Sequence, residues 1–245
     1  MLRAVAELGA RVLADRSDPR SWIEANLRIR TKDQRIIPFQ FNWPQLDYWP
    51  RRTSRDLILK PRQLGFTTLV CGMFFADCVL RPQTTSVIVA HDGDSTERIF
   101  RIVKLFWERL PEAERRDLGE PQYSTKRELY WPRNQSCFYV GTAGAKAFGR
   151  GMTIQNLHCS EFAFWPHPEE SLAALTEAVP AGGRIVIEST ANGRDNYFHQ
   201  LWNECKEPGA RFAPHFYTWW RDPTYAMPLT DEERALWQAA NQPPA

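Results

Sequence analysis

The segment DLILKPRQLGFTTLVCGMFF (56–75) places one lysine, one arginine, one glycine and two threonines between an apolar run and a helical stretch. A glycine there can turn backbone N–H groups towards an anion. A helix beginning beside it adds the partial positive charge of its N-terminus. Together they suit a phosphate group. The general phosphate-loop pattern is G-x-x-x-x-G-K-[ST]. In that register Gly65 fills the second glycine slot and Thr67 the hydroxyl slot, whereas Lys60 fills the first glycine slot and Phe66 the lysine slot. Lys60 could still reach β- and γ-phosphates from the strand end, with Arg62 as a second cation and Thr67 as a Mg²⁺ ligand. The competing reading is an ordinary strand-to-helix turn.

Three further stretches bear on that choice. TIQNLHCSEFAFWP (153–166) is an apolar strand that ends in Ser160-Glu161. In phosphate-loop ATPases a second strand ends in an acidic pair, one residue near Mg²⁺ and the next polarising water. Glu161 fits the water-activating position. Ser160 stands where aspartate is usual and would hold Mg²⁺ only weakly or through water. GRIVIESTANG (183–193) ends a third strand in small polar residues, Ser189, Thr190 and Asn192, of the kind that could sense a γ-phosphate. Upstream, PFQFNWPQLDYW (38–49) carries Gln45, whose amide matches the adenine N6/N7 edge, with Trp43 or Phe39 as stacking partners.

These residues need a scaffold that brings strand ends together. From residue 55 onward short β-rich runs alternate with helical stretches. Strands are expected at 56–60, 86–90, 128–131, 136–140, 154–159 and 184–188, and helices near 67–80, 95–110, 168–179 and 195–206. Several strands read as continuous apolar runs, as in a parallel sheet covered on both faces. The pattern predicts a three-layer α/β domain, with Pro132-Arg133-Asn134-Gln135 as a hairpin turn. Residues 1–14 read as an amphipathic helix. Ser21 is a candidate cap for a helix over 22–29, and Asn42 for another with Pro44 in its first turn. One more strand and a helix after Thr230 close the chain.

Composition sets outer bounds. The 245 residues are 43% hydrophobic and 24% charged, which excludes disordered and fibrous classes. No apolar run approaches the ~18–20 residues of a membrane span. The five cysteines show no CxxC spacing, which disfavours a disulfide framework or zinc site. The five histidines show no metal spacing either. Net charge is +2, with 25 Arg to 6 Lys and 12 basic against 7 acidic groups in residues 1–60. This is weak support for a polyanionic partner.

The stretches KPRQLGFTT, VIVAHDGDSTERIF, GTAGAKAFGRGMTIQNLHCSEFAFW and ESTANGRDNYFHQLW, in this order and spacing, resemble the ATPase domain of the large subunit of tailed-phage terminases. The resemblance covers roughly residues 35–220. It implies a phosphate-loop NTPase fold of the ASCE/RecA-like kind, with residues 1–34 as an N-terminal helical extension and 221–245 as a linker. It implies MgATP hydrolysis by an oligomeric ring, a pentamer in such motors, that drives double-stranded DNA into a procapsid. The partners implied are the portal protein and the small terminase subunit, in the host cytoplasm, with no membrane.

Carried over by position, Gln45 would read adenine, and Lys60, Arg62, Gln63, Gly65, Phe66, Thr67 and Thr68 would form the phosphate loop. Glu161 would be the base, with Ser160 and Thr67 near Mg²⁺. Ser189, Thr190 and Asn192 would couple hydrolysis to motion. Arg150 resembles the arginine that reaches a neighbouring subunit's site, and Arg62 competes for that role in cis. Terminases usually continue into a nuclease domain whose carboxylates are not found here, so nuclease activity is not expected of this chain. Two alternatives stay open: a helicase-like remodelling ATPase, and a nucleotide-incompetent DNA-binding or scaffold domain.

Overall fold

In the computed structural model, residues 15–122, 127–144 and 151–240 are described, and the statements below concern those residues. The expected helix over 1–14 lies outside them, as does Arg150.

A seven-stranded sheet forms the centre. Its strands are β3 (Arg55–Leu59), β4 (Thr85–Ala90), β5 (Glu128–Trp131), β6 (Ser136–Thr142), β7 (Asn156–Ser160), β8 (Arg184–Ser189) and β9 (Ala213–Phe216). They lie in the order β5-β6-β4-β7-β8-β3-β9. All neighbours pair parallel except β5 with β6, the hairpin expected at 132–135. The central strands β4, β7 and β8 are buried on both faces, which explains why they carry continuous apolar runs.

Eight α-helices lie among the described residues: α1 (Pro19–Asn26), α2 (Trp43–Arg51), α3 (Phe66–Leu80), α4 (Gly93–Arg109), α5 (Glu112–Leu118), α6 (Pro168–Glu177), α7 (Tyr197–Glu204) and α8 (Asp231–Ala240). A two-stranded antiparallel ribbon joins the first two, β1 (Arg28–Arg30) with β2 (Ile36–Pro38). One apolar core lies between the sheet and α1–α4, and a second on the opposite face beneath α6 and α7. This is the three-layer α/β architecture expected.

Helix α3, which follows the phosphate loop, is apolar all round because it is covered on every side. Buried residues run along its length from Phe66 to Val79. Phe39 crosses it so closely at Gly72 that an added Cβ would meet the ring at 2.9 Å. At the other edge of the sheet, buried Asp56 on β3 accepts hydrogen bonds from Tyr48 Oη (2.6 Å) and Thr53 Oγ1 (2.7 Å). Its Oδ1 also lies 3.0 Å from His215 Nε2 on β9, so the cluster ties α2, β3 and β9 together.

Several local expectations change. Asp18, not Ser21, caps α1: it accepts from the Arg20 and Ser21 amides and also from the Ser21 hydroxyl. The helix stops at Asn26, and residues 28–30 pair with 36–38 instead of continuing it. The ribbon therefore straddles position 34, and Trp22, Ile23 and Leu27 sit in the same core as α3. The strand expected at 154–159 runs Asn156–Ser160, so Ser160 is its last residue. Helix α5 was not expected. Asn42 does cap α2, in a capping box with Gln45.

Candidate active site

Three strand ends converge on one cleft of about 530 Å³, lined among others by Lys60, Arg62, Gly65, Thr67, Thr68, Ser160, Glu161 and Thr190. Lys60 follows β3, Glu161 follows β7, and β8 lies between those two strands. Gly65 caps α3 in the left-handed region, at φ 77° and ψ 14°, a conformation that favours glycine. Asn42 Nδ2 and Gln45 Nε2 donate to the carbonyls of Leu64 and Gly65 at 3.0 and 2.9 Å. Gln45 Oε1 in turn accepts from the Asn42 amide at 3.0 Å. The start of α2 therefore braces the loop from behind.

Lys60 is buried, and its Nζ stands 2.6 Å from Glu161 Oε1 and 2.8 Å from Glu188 Oε2. Burial alone would push this ammonium's pKa down, but the two carboxylates outweigh burial and hold it raised. Glu188 is fully buried. Burial opposes its charge, yet Lys60 and His158 hold it well below the usual carboxylate range. Its Oε1 accepts from the hydroxyls of Thr67 (2.9 Å) and Ser160 (2.8 Å).

Glu161 occupies the left-handed region at φ 49° and ψ 47°, uncommon for a residue with a Cβ. Its Oε2 accepts from the Thr190 amide at 3.1 Å and the Thr190 hydroxyl at 3.2 Å. The short 3₁₀ turn Phe162–Phe164 after it is tied to the same strand tip: the Ala163 amide donates to Ser189 Oγ (3.1 Å), and Asn192 Nδ2 donates to the Ala163 carbonyl (3.0 Å). A cation beside a glycine-capped helix start, paired with a carboxylate fixed in the same cleft, suits hydrolysis of a phosphoanhydride.

The family described as "Terminase large subunit, T4likevirus-type, N-terminal" matches residues 57–231, which include the ends of all three strands at the cleft. The chain belongs to the large-terminase family. Solved structures agree in fold. A point mutant of the Thermus phage P74-26 large terminase ATPase domain is 20% identical, with a TM-score of 0.60 over 84% of this chain and 90% of that one. The HK97 bacteriophage large terminase is 18% identical, with a TM-score of 0.68 over 94% of this chain and 48% of that one. A large terminase from a thermophilic bacteriophage, solved with ATP-gamma-S, is 14% identical, with a TM-score of 0.50 over 83% of this chain and 50% of that one. This terminase chain thus spans about half the length of the longer relatives. No match was found among curated proteins.

The residues nominated from the terminase resemblance fall into three groups. Lys60, Thr67, Ser160, Glu161 and Thr190 stand together in the cleft, with Gln63 and Thr68 on its wall. Arg62 is exposed at the rim, and its carbonyl accepts from the Tyr225 hydroxyl. Phe66 turns inward instead: its ring is buried against Tyr48 and Tyr217, with centroids 5.7 and 4.7 Å away. Only its backbone remains for the loop. Gln45 is 97% buried and holds Gly65, so the visible work of its amide is bracing.

Two residues went unnoticed in the sequence. Arg98 on α4 lines the cleft and donates to Ser95 Oγ at 2.6 Å. Glu188 is the hub of the polar network. Its signal was a carboxylate closing the apolar run RIVIE, the same signature that marked Glu161 after β7.

Proposed function

We propose that this chain is the motor domain that hydrolyses MgATP to drive double-stranded DNA into a procapsid. The observation that carries the reading is the Lys60–Glu161 ion pair at the head of the Gly65 loop. A bound triphosphate would lie along the loop, with Lys60 against its terminal oxygens and the α3 N-terminus beneath it. Glu161 orients the attacking water and takes its proton, while Thr190 holds the carboxylate in place. The hydroxyls of Thr67 and Ser160 and the Glu188 carboxylate are hard oxygen donors, the chemistry that Mg²⁺ prefers. When bound, Mg²⁺ would neutralise charge building on the phosphate oxygens. The base and ribose would extend into the adjoining groove, which shares Gln45, Gln63, Gly65 and Thr68 with the loop and carries Arg30, Lys32, Arg98 and Arg101.

The remaining assignments follow the family resemblance. Ser189, Thr190 and Asn192 would pass the γ-phosphate's state to the 3₁₀ turn, and Arg150 or Arg62 would supply the additional cation. Copies of the chain would assemble as a ring, to be counted by native mass spectrometry, with portal protein and small terminase subunit as partners in the host cytoplasm.

The test is phosphate release with and without duplex DNA, for wild type and Glu161→Gln. Hydrolysis in wild type with loss in the variant, at unchanged ATP affinity, is expected. Equal rates would remove Glu161 as base. Absence of nucleotide binding in wild type would favour a scaffold role, the reading that Phe66 in the lysine slot supports.

A further inference from the structure

Position 160 lacks the aspartate that the second strand of a phosphate-loop ATPase usually presents near Mg²⁺. The neighbouring strand supplies a carboxylate at the same level. Ser160 on β7 pairs with Glu188 on β8 in the parallel register, and the two side chains touch at 2.8 Å. Thr67, the hydroxyl residue of the phosphate loop, reaches the same Glu188 oxygen at 2.9 Å.

The direction of these bonds matters. An ionised carboxylate only accepts, so both hydroxyls spend their proton on Glu188. Their oxygen lone pairs are left for a cation or its waters. A Thr67 hydroxyl with the opposite orientation would present a proton to Mg²⁺. The charge balance points the same way: two carboxylates, Glu161 and Glu188, share the ammonium of Lys60, with the His158 ring also 3.5 Å from Glu188. Buried negative charge in excess is costly unless another cation joins it.

We infer that Glu188 is the positioning carboxylate of the Mg²⁺ site, replacing from β8 the aspartate missing at Ser160 and orienting the Thr67 and Ser160 hydroxyls. The inference rests on the MgATP reading above and adds to it the residue that sets metal affinity.

The experiment measures ADP binding to the full chain by calorimetry in EDTA, and Mn²⁺ binding to the ADP complex by electron paramagnetic resonance. Wild type, Glu188→Gln and the double variant Glu188→Gln/Ser160→Asp are compared. Glu188→Gln is expected to keep ADP binding in EDTA but to lose about 10–100-fold in Mn²⁺ affinity. The double variant, which returns a carboxylate one strand over, is expected to recover most of that loss; a purely structural Glu188 would show no such rescue. Unchanged Mn²⁺ affinity in Glu188→Gln overturns the inference. Should that variant fail to fold, Ser160→Asp alone decides: a second carboxylate at the site must raise Mn²⁺ affinity, and no change overturns the inference. If wild type binds no ADP with or without Mn²⁺, the ATPase reading itself fails. If wild type binds both normally, only the role of Glu188 is at stake.

Discussion

Lys60 and Glu161, 101 residues apart in sequence, meet in an ion pair of 2.6 Å at the mouth of the cleft. The lysine end is almost wholly buried and shares its charge with Glu188, which is buried completely. Removing one partner of such a pair leaves uncompensated charge behind and costs about 3–5 kcal/mol. Lys60→Ala should therefore lower the thermal midpoint and weaken ATP binding together, read by calorimetric melts and nucleotide titration. An affinity equal to wild type would move the phosphate role to Arg62.

Gln45 offers a sharper choice. Its amide holds the Gly65 carbonyl and the Asn42 amide, so its loss should loosen the phosphate loop for every nucleotide. Gln45→Ala is expected to weaken ATP and GTP by similar factors. A loss confined to ATP would show that the same amide reads adenine.

The Asp56 cluster predicts a stability effect remote from the cleft. Tyr48→Phe removes one hydrogen bond to a buried carboxylate, worth about 1.5–3 kcal/mol. Nucleotide affinity should stay unchanged while the urea midpoint falls. An unaltered midpoint would mean that Thr53 and His215 satisfy Asp56 without the tyrosine.

The cysteines give a pH dependence. Cys71, Cys78, Cys137, Cys159 and Cys205 are all buried. Burial pushes Cys205 up to about 11 and Cys137 up to about 12, with the other three raised as well. The thiolate is the reactive form, so its population falls tenfold for each pH unit below the pKa. Native protein at pH 8 should react negligibly with a chromogenic disulfide, and denatured protein should titrate five thiols. A fast native phase would reveal local opening.

What the sequence made legible was the set of features written in consecutive residues. Glu161 closes an apolar run, Gly65 precedes a helix, and Asn42 stands before Trp43-Pro44; each announces its own local geometry. Partnerships across strands were not readable in this way. Glu188 gains its importance from pairing with Ser160 and from facing Lys60 and Thr67, three contacts fixed by strand order rather than by spacing. Phe66 matched a motif slot, but the helix turned its ring into an aromatic pocket made by Tyr48 and Tyr217. At α1 the sequence points to Ser21 as the cap, whereas Asp18, just before Pro19, takes that place and Ser21 bonds to it.

The tip of β8 is bonded on two sides at once. Alternating side chains send Glu188 and Thr190 towards Lys60 and Glu161, while the Ser189 hydroxyl takes the amide of Ala163 behind them. The Ser189 carbonyl also accepts from the Lys60 amide at 3.1 Å. The cleft carboxylate Glu161 and the turn 162–164 are thus both anchored to one strand tip.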